Sequence, residues 1–127
     1  MTKLDQIAAM STIVADTGDL DAIARLKPVD ATTNPSLLLK AASLERFADD
    51  VNSLKGSENA ADEFAVRVGS QIIQQLPGVI STEVDARLSF DTERTIAKAE
   101  SLIDQYAKFG RRASMWRRLY EILAAGS

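Results

Sequence analysis

The chain has 127 residues with neither histidine nor cysteine. It therefore has no imidazole base and no thiol nucleophile, and neither a Ser-His triad, a disulfide nor a zinc site of the ordinary ligand set can be assembled from it. Chemistry falls to Asp, Glu, Lys, Ser, Thr and Asn. Three clusters of such residues stand at the ends of short apolar, β-branched stretches. Asp16 follows Thr12-Ile13-Val14-Ala15, Thr32-Thr33-Asn34 closes the stretch from Val29 to Thr33, and Glu83 with Asp85 closes the stretch from Val79 to Val84. Two carboxylates drawn into one semi-enclosed mouth can have their pKa values pushed apart, so that one acts as acid or base while the other orients water. Each also has a plainer reading: Asp16 as an Asx turn or helix cap ahead of Gly18, and Glu83 as a solvent-facing residue at a sheet edge.

These clusters need elements to position them. Strand-like stretches alternate with stretches of helical period, the order of an α/β protein with parallel strands. The sequence predicts strands at 12–15, 29–33 and 79–84. Asp19 is placed to cap a helix from Leu20 to Leu26, and Pro35 suits the first turn of a helix from Ser36 to Ala42. A further helix is expected from Leu44 to Leu54, before the polar break 55–59. From Ala61 to Leu76, the residues Phe64, Ala65, Val68, Ile72 and Leu76 recur at three- and four-residue spacing and define one buried helix face. Asp91 caps a last long helix to about Phe109, its apolar stripe formed by Ile96, Ala99, Leu102, Ile103, Tyr106 and Phe109, with Gly110 as its stop. In an open or closed parallel sheet, the polar residues at the carboxyl ends of the strands converge on one mouth.

Apolar residues make up 46% and charged residues 26% of the chain, a globular composition with no apolar run long enough for a membrane span. The first residues lack the basic-then-apolar pattern of a secretory signal, so a cytoplasmic location is expected. The net charge of −3 is uneven: the last 20 residues hold five basic and one acidic side chain, the preceding 107 hold 10 basic and 17 acidic. An acidic body with a basic tail gives no nucleic-acid surface. Within the tail, Met115, Leu119, Ile122 and Leu123 fall on one side of a helix, with Trp116 and Tyr120 adjacent. Such a helix packs on its own domain or serves as a membrane-surface or partner-binding element. The expected division is a body over 1–110 and a basic amphipathic helix over 111–127.

The segment Asp30-Ala31-Thr32-Thr33-Asn34-Pro35-Ser36-Leu37-Leu38 resembles the first signature of the transaldolase family. Val14-Ala15-Asp16-Thr17-Gly18-Asp19 and Ile80-Ser81-Thr82-Glu83-Val84-Asp85-Ala86-Arg87-Leu88-Ser89 are similar to two more of its strand segments, in the same order. The family's proteins are (β/α)8 barrels that move a dihydroxyacetone unit between sugar phosphates through a lysine Schiff base, without a cofactor or metal. The resemblance implies that Asp16 is the acid/base carboxylate of carbon–carbon cleavage and that Glu83 is the carboxylate holding the catalytic water. Asn34 would be the amide that hydrogen-bonds a substrate hydroxyl, and Thr32 and Thr33 the supporting hydroxyls of the second strand's mouth.

The chain also departs from that pattern. Where the family's fourth strand carries its lysine in an apolar segment, residues 111–120 read Arg-Arg-Ala-Ser-Met-Trp-Arg-Arg-Leu-Tyr, and the later phosphate-binding arginines are missing too. The stretch between the second and third strands is shorter than in the family's long bacterial form. A full barrel needs about 250 residues. The expectation is thus a partial (β/α)8 barrel of about three parallel strands with surrounding helices and an extra C-terminal helix. Its function would be that of a truncated transaldolase homologue without turnover, able to bind a sugar phosphate at most weakly. The alternative is a self-assembling module derived from a half-barrel. In either reading, two open sheet edges favour a homo-oligomer, most simply a dimer joined through the C-terminal helix.

Overall fold

Residues 1–109 are described in this computed structural model, so the tail helix expected over 111–127 and its Gly110 boundary lie outside the described residues. Three strands, β1 (Val14–Asp16), β2 (Asp30–Thr32) and β3 (Ile80–Ser81), form one parallel sheet in the order β1-β2-β3. Asp16 lies opposite Thr32 in one pairing, and Thr32 opposite Ser81 in the next. Sequential order without reversal is the winding of a (β/α)8 barrel segment, in which each strand is laid beside its predecessor after a helical crossover.

Six α-helices stand among the described residues: α1 (Lys3–Ala8), α2 (Leu20–Leu26), α3 (Pro35–Ala42), α4 (Ala48–Ser53), α5 (Ala60–Ile73) and α6 (Thr92–Ala107). The chain divides into two compact units, Met1–Glu83 and a second beginning at Val84. In the first, Ala15, Ala31, Ile80 and Thr33 face the buried side of the sheet, and α5 supplies Phe64, Val66, Val68 and Ile72 to the core. Phe47 is fully buried and meets Phe64 edge to face, with ring centroids 5.7 Å apart. The opposite face of the sheet is open: Val14 is 51% exposed, and Asp16 and Ser81 are exposed. Parallel sheets are normally covered on both faces. An uncovered inner face is what three strands of an eight-stranded barrel present.

In the second unit a single 3-10 turn, Ala86–Leu88, precedes α6. Asp91 caps α6 as expected, its side chain accepting from the Arg94 amide, and Thr95 Oγ1 donates to the Leu88 carbonyl at 2.8 Å. Ala99, Leu102 and Tyr106 are buried along the predicted stripe, whereas Ile96 and Phe109 are exposed.

Several expectations need correction. The predicted third strand of six residues is ordered as a strand only at Ile80–Ser81. The helix expected over 44–54 is interrupted: a 3-10 turn, Glu45–Phe47, comes first, and the chain bends at Phe47 (φ −104°, ψ 5°) before α4 starts. Burying the Phe47 ring accounts for the break. The helix predicted to reach Leu76 ends at Ile73. The first strand starts two residues later than predicted and includes Asp16. Helix α1 was not predicted. It buries none of its residues and is held by a capping box in which Thr2 and Asp5 satisfy each other's amides.

Candidate functional site

Alternation along β2 puts Asp30 and Thr32 on the open face of the sheet, and Asn34 continues that phase because its backbone is still extended (φ −142°, ψ 168°). Its neighbours on this face are Val14 and Asp16 on β1 and Ser81 on β3. The strands are parallel, so Asp16, Thr32-Thr33-Asn34 and Glu83 all stand at the carboxyl ends.

Thr32 Oγ1 donates to Asp16 Oδ1 at 2.8 Å, a bond between two strands that orients the carboxylate at the sheet's mouth. Asn34 is the N-cap of α3: its Oδ1 accepts from the Leu37 amide at 3.0 Å, and Pro35 occupies the first helical position. That bond fixes which end of the amide is oxygen and turns the Nδ2 donor away from the helix. Glu83 lies two residues beyond Ser81 and is exposed. Its carboxylate makes no hydrogen bond among the described residues.

Thr33 is placed differently from the other four. Being one residue out of phase with Thr32, it points to the helix-covered side, is 1% exposed, and its hydroxyl has no partner among the described residues. Its amide donates to the Ser81 carbonyl at 3.1 Å, so what it contributes to the mouth is backbone pairing between β2 and β3. Ser81 and Asp30 were missed by the reading of the sequence, although counting back by twos from Glu83 and Thr32 puts both on the same face.

Asp19 is the cap predicted for α2, accepting from the amides of Asp21 and Ala22 at 2.9 and 3.2 Å, so Asp16 is not needed for that task. A cavity of about 460 Å³ lies against the outer side of the first βα turn, lined by Thr17, Gly18, Asp19, Leu37, Lys40 and Arg46 among others. None of the five predicted site residues lines it. In the second unit Asp85 caps the 3-10 turn and pairs with Arg87, which holds its carboxyl down at about 2, below the ordinary 3.8. Among the described residues, no cluster of acidic side chains could hold a metal ion, and no helix is long and apolar enough to cross a membrane.

Parallel strands wound in sequence, α5 packed on one face and a polar mouth at the carboxyl ends define a partial (β/α)8 barrel. Residues 13–115 match the Transaldolase/Fructose-6-phosphate aldolase family, and the chain belongs to it. A transaldolase of Stutzerimonas stutzeri (strain A1501) is 57% identical over 114 residues, an alignment that covers 86% of this chain and 37% of that protein. The chain thus spans well under half the length of this relative. The resemblance in the three strand segments is borne out at the level of the family, as is the partial-barrel fold.

Proposed function

We propose that the chain carries the share of a transaldolase site contributed by the first three βα units, and that it does not turn over alone. In this reading Asp16 takes the proton of the substrate hydroxyl when the carbon–carbon bond breaks. Asn34 hydrogen-bonds a hydroxyl of the dihydroxyacetone unit through Nδ2, and Glu83 holds a water. Thr32 orients Asp16, and Thr33 supports the mouth from behind. The observation that supports this most is the Thr32–Asp16 hydrogen bond on the open face, which aims a carboxylate into the mouth rather than into a turn. An Asx-turn role for Asp16 loses ground because Asp19 already caps α2.

Amine catalysis requires a lysine activated by its surroundings. None stands in residues 111–120, and the lysines nearest in sequence are Lys98 on α6 and Lys108 just after it. The ligand class is a ketose phosphate bound weakly, with no cofactor. Two sheet edges and an uncovered face favour self-association into a dimer in the cytoplasm, with Met115, Trp116, Leu119, Tyr120, Ile122 and Leu123 of the tail supplying apolar surface.

Borohydride reduction in the presence of fructose 6-phosphate tests the catalytic half of this reading. The expected result is no added mass on the chain and no transfer to erythrose 4-phosphate above a blank. A stable adduct at Lys98 or Lys108, with transfer lost on Lys98→Ala or Lys108→Ala, would overturn it. Light scattering should report about twice 13.8 kDa; a sharp monomer mass would remove the dimer.

A further inference from the structure

At the opposite end of the sheet from the mouth, β3 approaches β2 through an irregular pairing. The Gly78 amide donates to the Val29 carbonyl at 2.9 Å, and the next amide, that of Val79, donates to the side chain of Asp30, reaching Oδ1 at 2.8 Å. In a regular strand, successive N–H groups point to opposite sides. Here two in a row point to β2, and since β2 offers one carbonyl at this level, a carboxylate oxygen takes the place of the second. The arrangement resembles a bulge in which a side chain completes the ladder. The Val79 carbonyl then accepts from Ala31 at 3.0 Å, and the Ser81 carbonyl from Thr33 at 3.1 Å, so the register above is counted from this point.

Gly78 is required by the same contact. A Cβ at this position would stand 1.8 Å from Asp30 Oδ1 and 2.6 Å from the Val29 carbonyl oxygen, and the carboxylate could not remain where it is. Neither residue touches the mouth. Yet the height at which Ser81 meets Thr32, and so the height of Glu83 two residues above that level, is fixed by them. A slip of one residue would turn every β3 side chain to the other face, and a slip of two would shift Glu83 by about 6.6 Å along the sheet.

We propose that Asp30 and Gly78 form a register clamp, and that Asp30 is a positioning residue whose task is to bring Ser81 level with Asp16 and Thr32, and so to set Glu83 two residues above them, at the height of Asn34. The clamp itself stands on backbone geometry; its value to a site rests on the reading of the mouth given above.

A cross-linking experiment on the full chain tests the clamp without any ligand, so its failure is distinct from a failure of that reading. The chain has no cysteine, so paired cysteines report cleanly. In-register neighbours on parallel strands lie about 5 Å apart at Cα, within disulfide reach. The pair Thr32→Cys/Ser81→Cys should therefore oxidise about tenfold faster than the out-of-register pair Thr32→Cys/Glu83→Cys, whose Cα atoms are too far apart. Adding Asp30→Ala should erase that preference, as should Gly78→Ala, whereas Asp30→Asn keeps an oxygen acceptor and should preserve it. An undiminished preference in Asp30→Ala that retains its helical circular dichroism would overturn the proposal. If Asp30→Ala and Gly78→Ala do not fold, amide hydrogen exchange on the unaltered protein decides. Protection of the Val79 amide comparable with that of Ala31 supports the clamp; exchange of Val79 at the unprotected rate overturns it.

Discussion

The two ends of the same three strands are built on opposite principles. At the foot, where the strands begin, the polar atoms are consumed. Val29 donates its amide to the Ile13 carbonyl and accepts from Gly78, and Asp30 spends a carboxylate oxygen on the Val79 amide. At the mouth, where they end, polar groups are displayed. Asp16 and Glu83 are exposed, one side-chain bond links Asp16 to Thr32, and Asn34 uses its oxygen on a helix while keeping its amide donor outward. Both ends carry a carboxylate on the same face of the sheet. What separates them is whether the fold has already claimed it. In barrels the carboxyl-end mouth is where chemistry resides and the opposite end serves stability, and the proposed function assigns the same division to these three strands.

The foot should be the less forgiving end. Gly78→Ala forces a Cβ into backbone and carboxylate, and is expected to cost roughly 2–4 kcal/mol, read as a lowered midpoint in urea unfolding. A loss below about 0.5 kcal/mol would mean that the foot relaxes freely, and the contrast would fail. Asn34→Ala at the mouth removes a helix cap and should cost about 1 kcal/mol, while Asn34→Asp keeps the capping oxygen and should cost much less. If the amide's other end serves a ligand, the two variants lose ketose phosphate binding equally despite their different stabilities. Thr32→Val deletes an exposed hydrogen bond and should change stability by less than about 1 kcal/mol, yet weaken binding because the Asp16 carboxylate is released.

The smallest effect belongs to Asp85. Arg87 holds its carboxyl at about 2 in the folded chain, below the ordinary 3.8. A depressed carboxyl contributes stability that is present above the unfolded value and is lost as pH falls toward about 2. Arg87→Ala should therefore return the carboxyl toward 3.8 in an NMR titration, with little change in unfolding at neutral pH because the pair is exposed and screened by salt. A carboxyl still titrating near 2 in that variant would show that the turn's amide, not the guanidinium, sets it.

How much of this was legible beforehand depends on the kind of signal. Asp19, Pro35 and Asp91 mark their helix starts through capping chemistry, which is local, and α2, α3 and α6 begin where they were predicted. The face of α5 followed from spacing, and Phe64, Val68 and Ile72 are buried as read. Helix α1 escaped because it has no buried face to generate a period, although Thr2 and Asp5 spelled its cap. The break at Phe47 is tertiary: nothing in residues 44–54 opposes a continuous helix except the core that draws the ring in. Thr33 illustrates a different limit, since adjacent threonines on a strand face opposite sides and a shared motif does not say which is which. The bond between Asp30 and Val79 spans 49 residues, and strand register is a property of pairing that one stretch of sequence does not contain.

In the proposed function the mouth, not the foot or the outer cavity, is the end of this sheet that meets a sugar phosphate. Titrating the ¹⁵N-labelled chain with fructose 6-phosphate measures this directly. Dose-dependent amide shifts are expected at Asp16, Thr32, Asn34 and Glu83, and none at Asp30, Gly78 or Val79. Shifts confined to Thr17, Gly18, Lys40 and Arg46, or no shifts at millimolar ligand where a Kd of about 1 mM corresponds to roughly −4 kcal/mol, would contradict it.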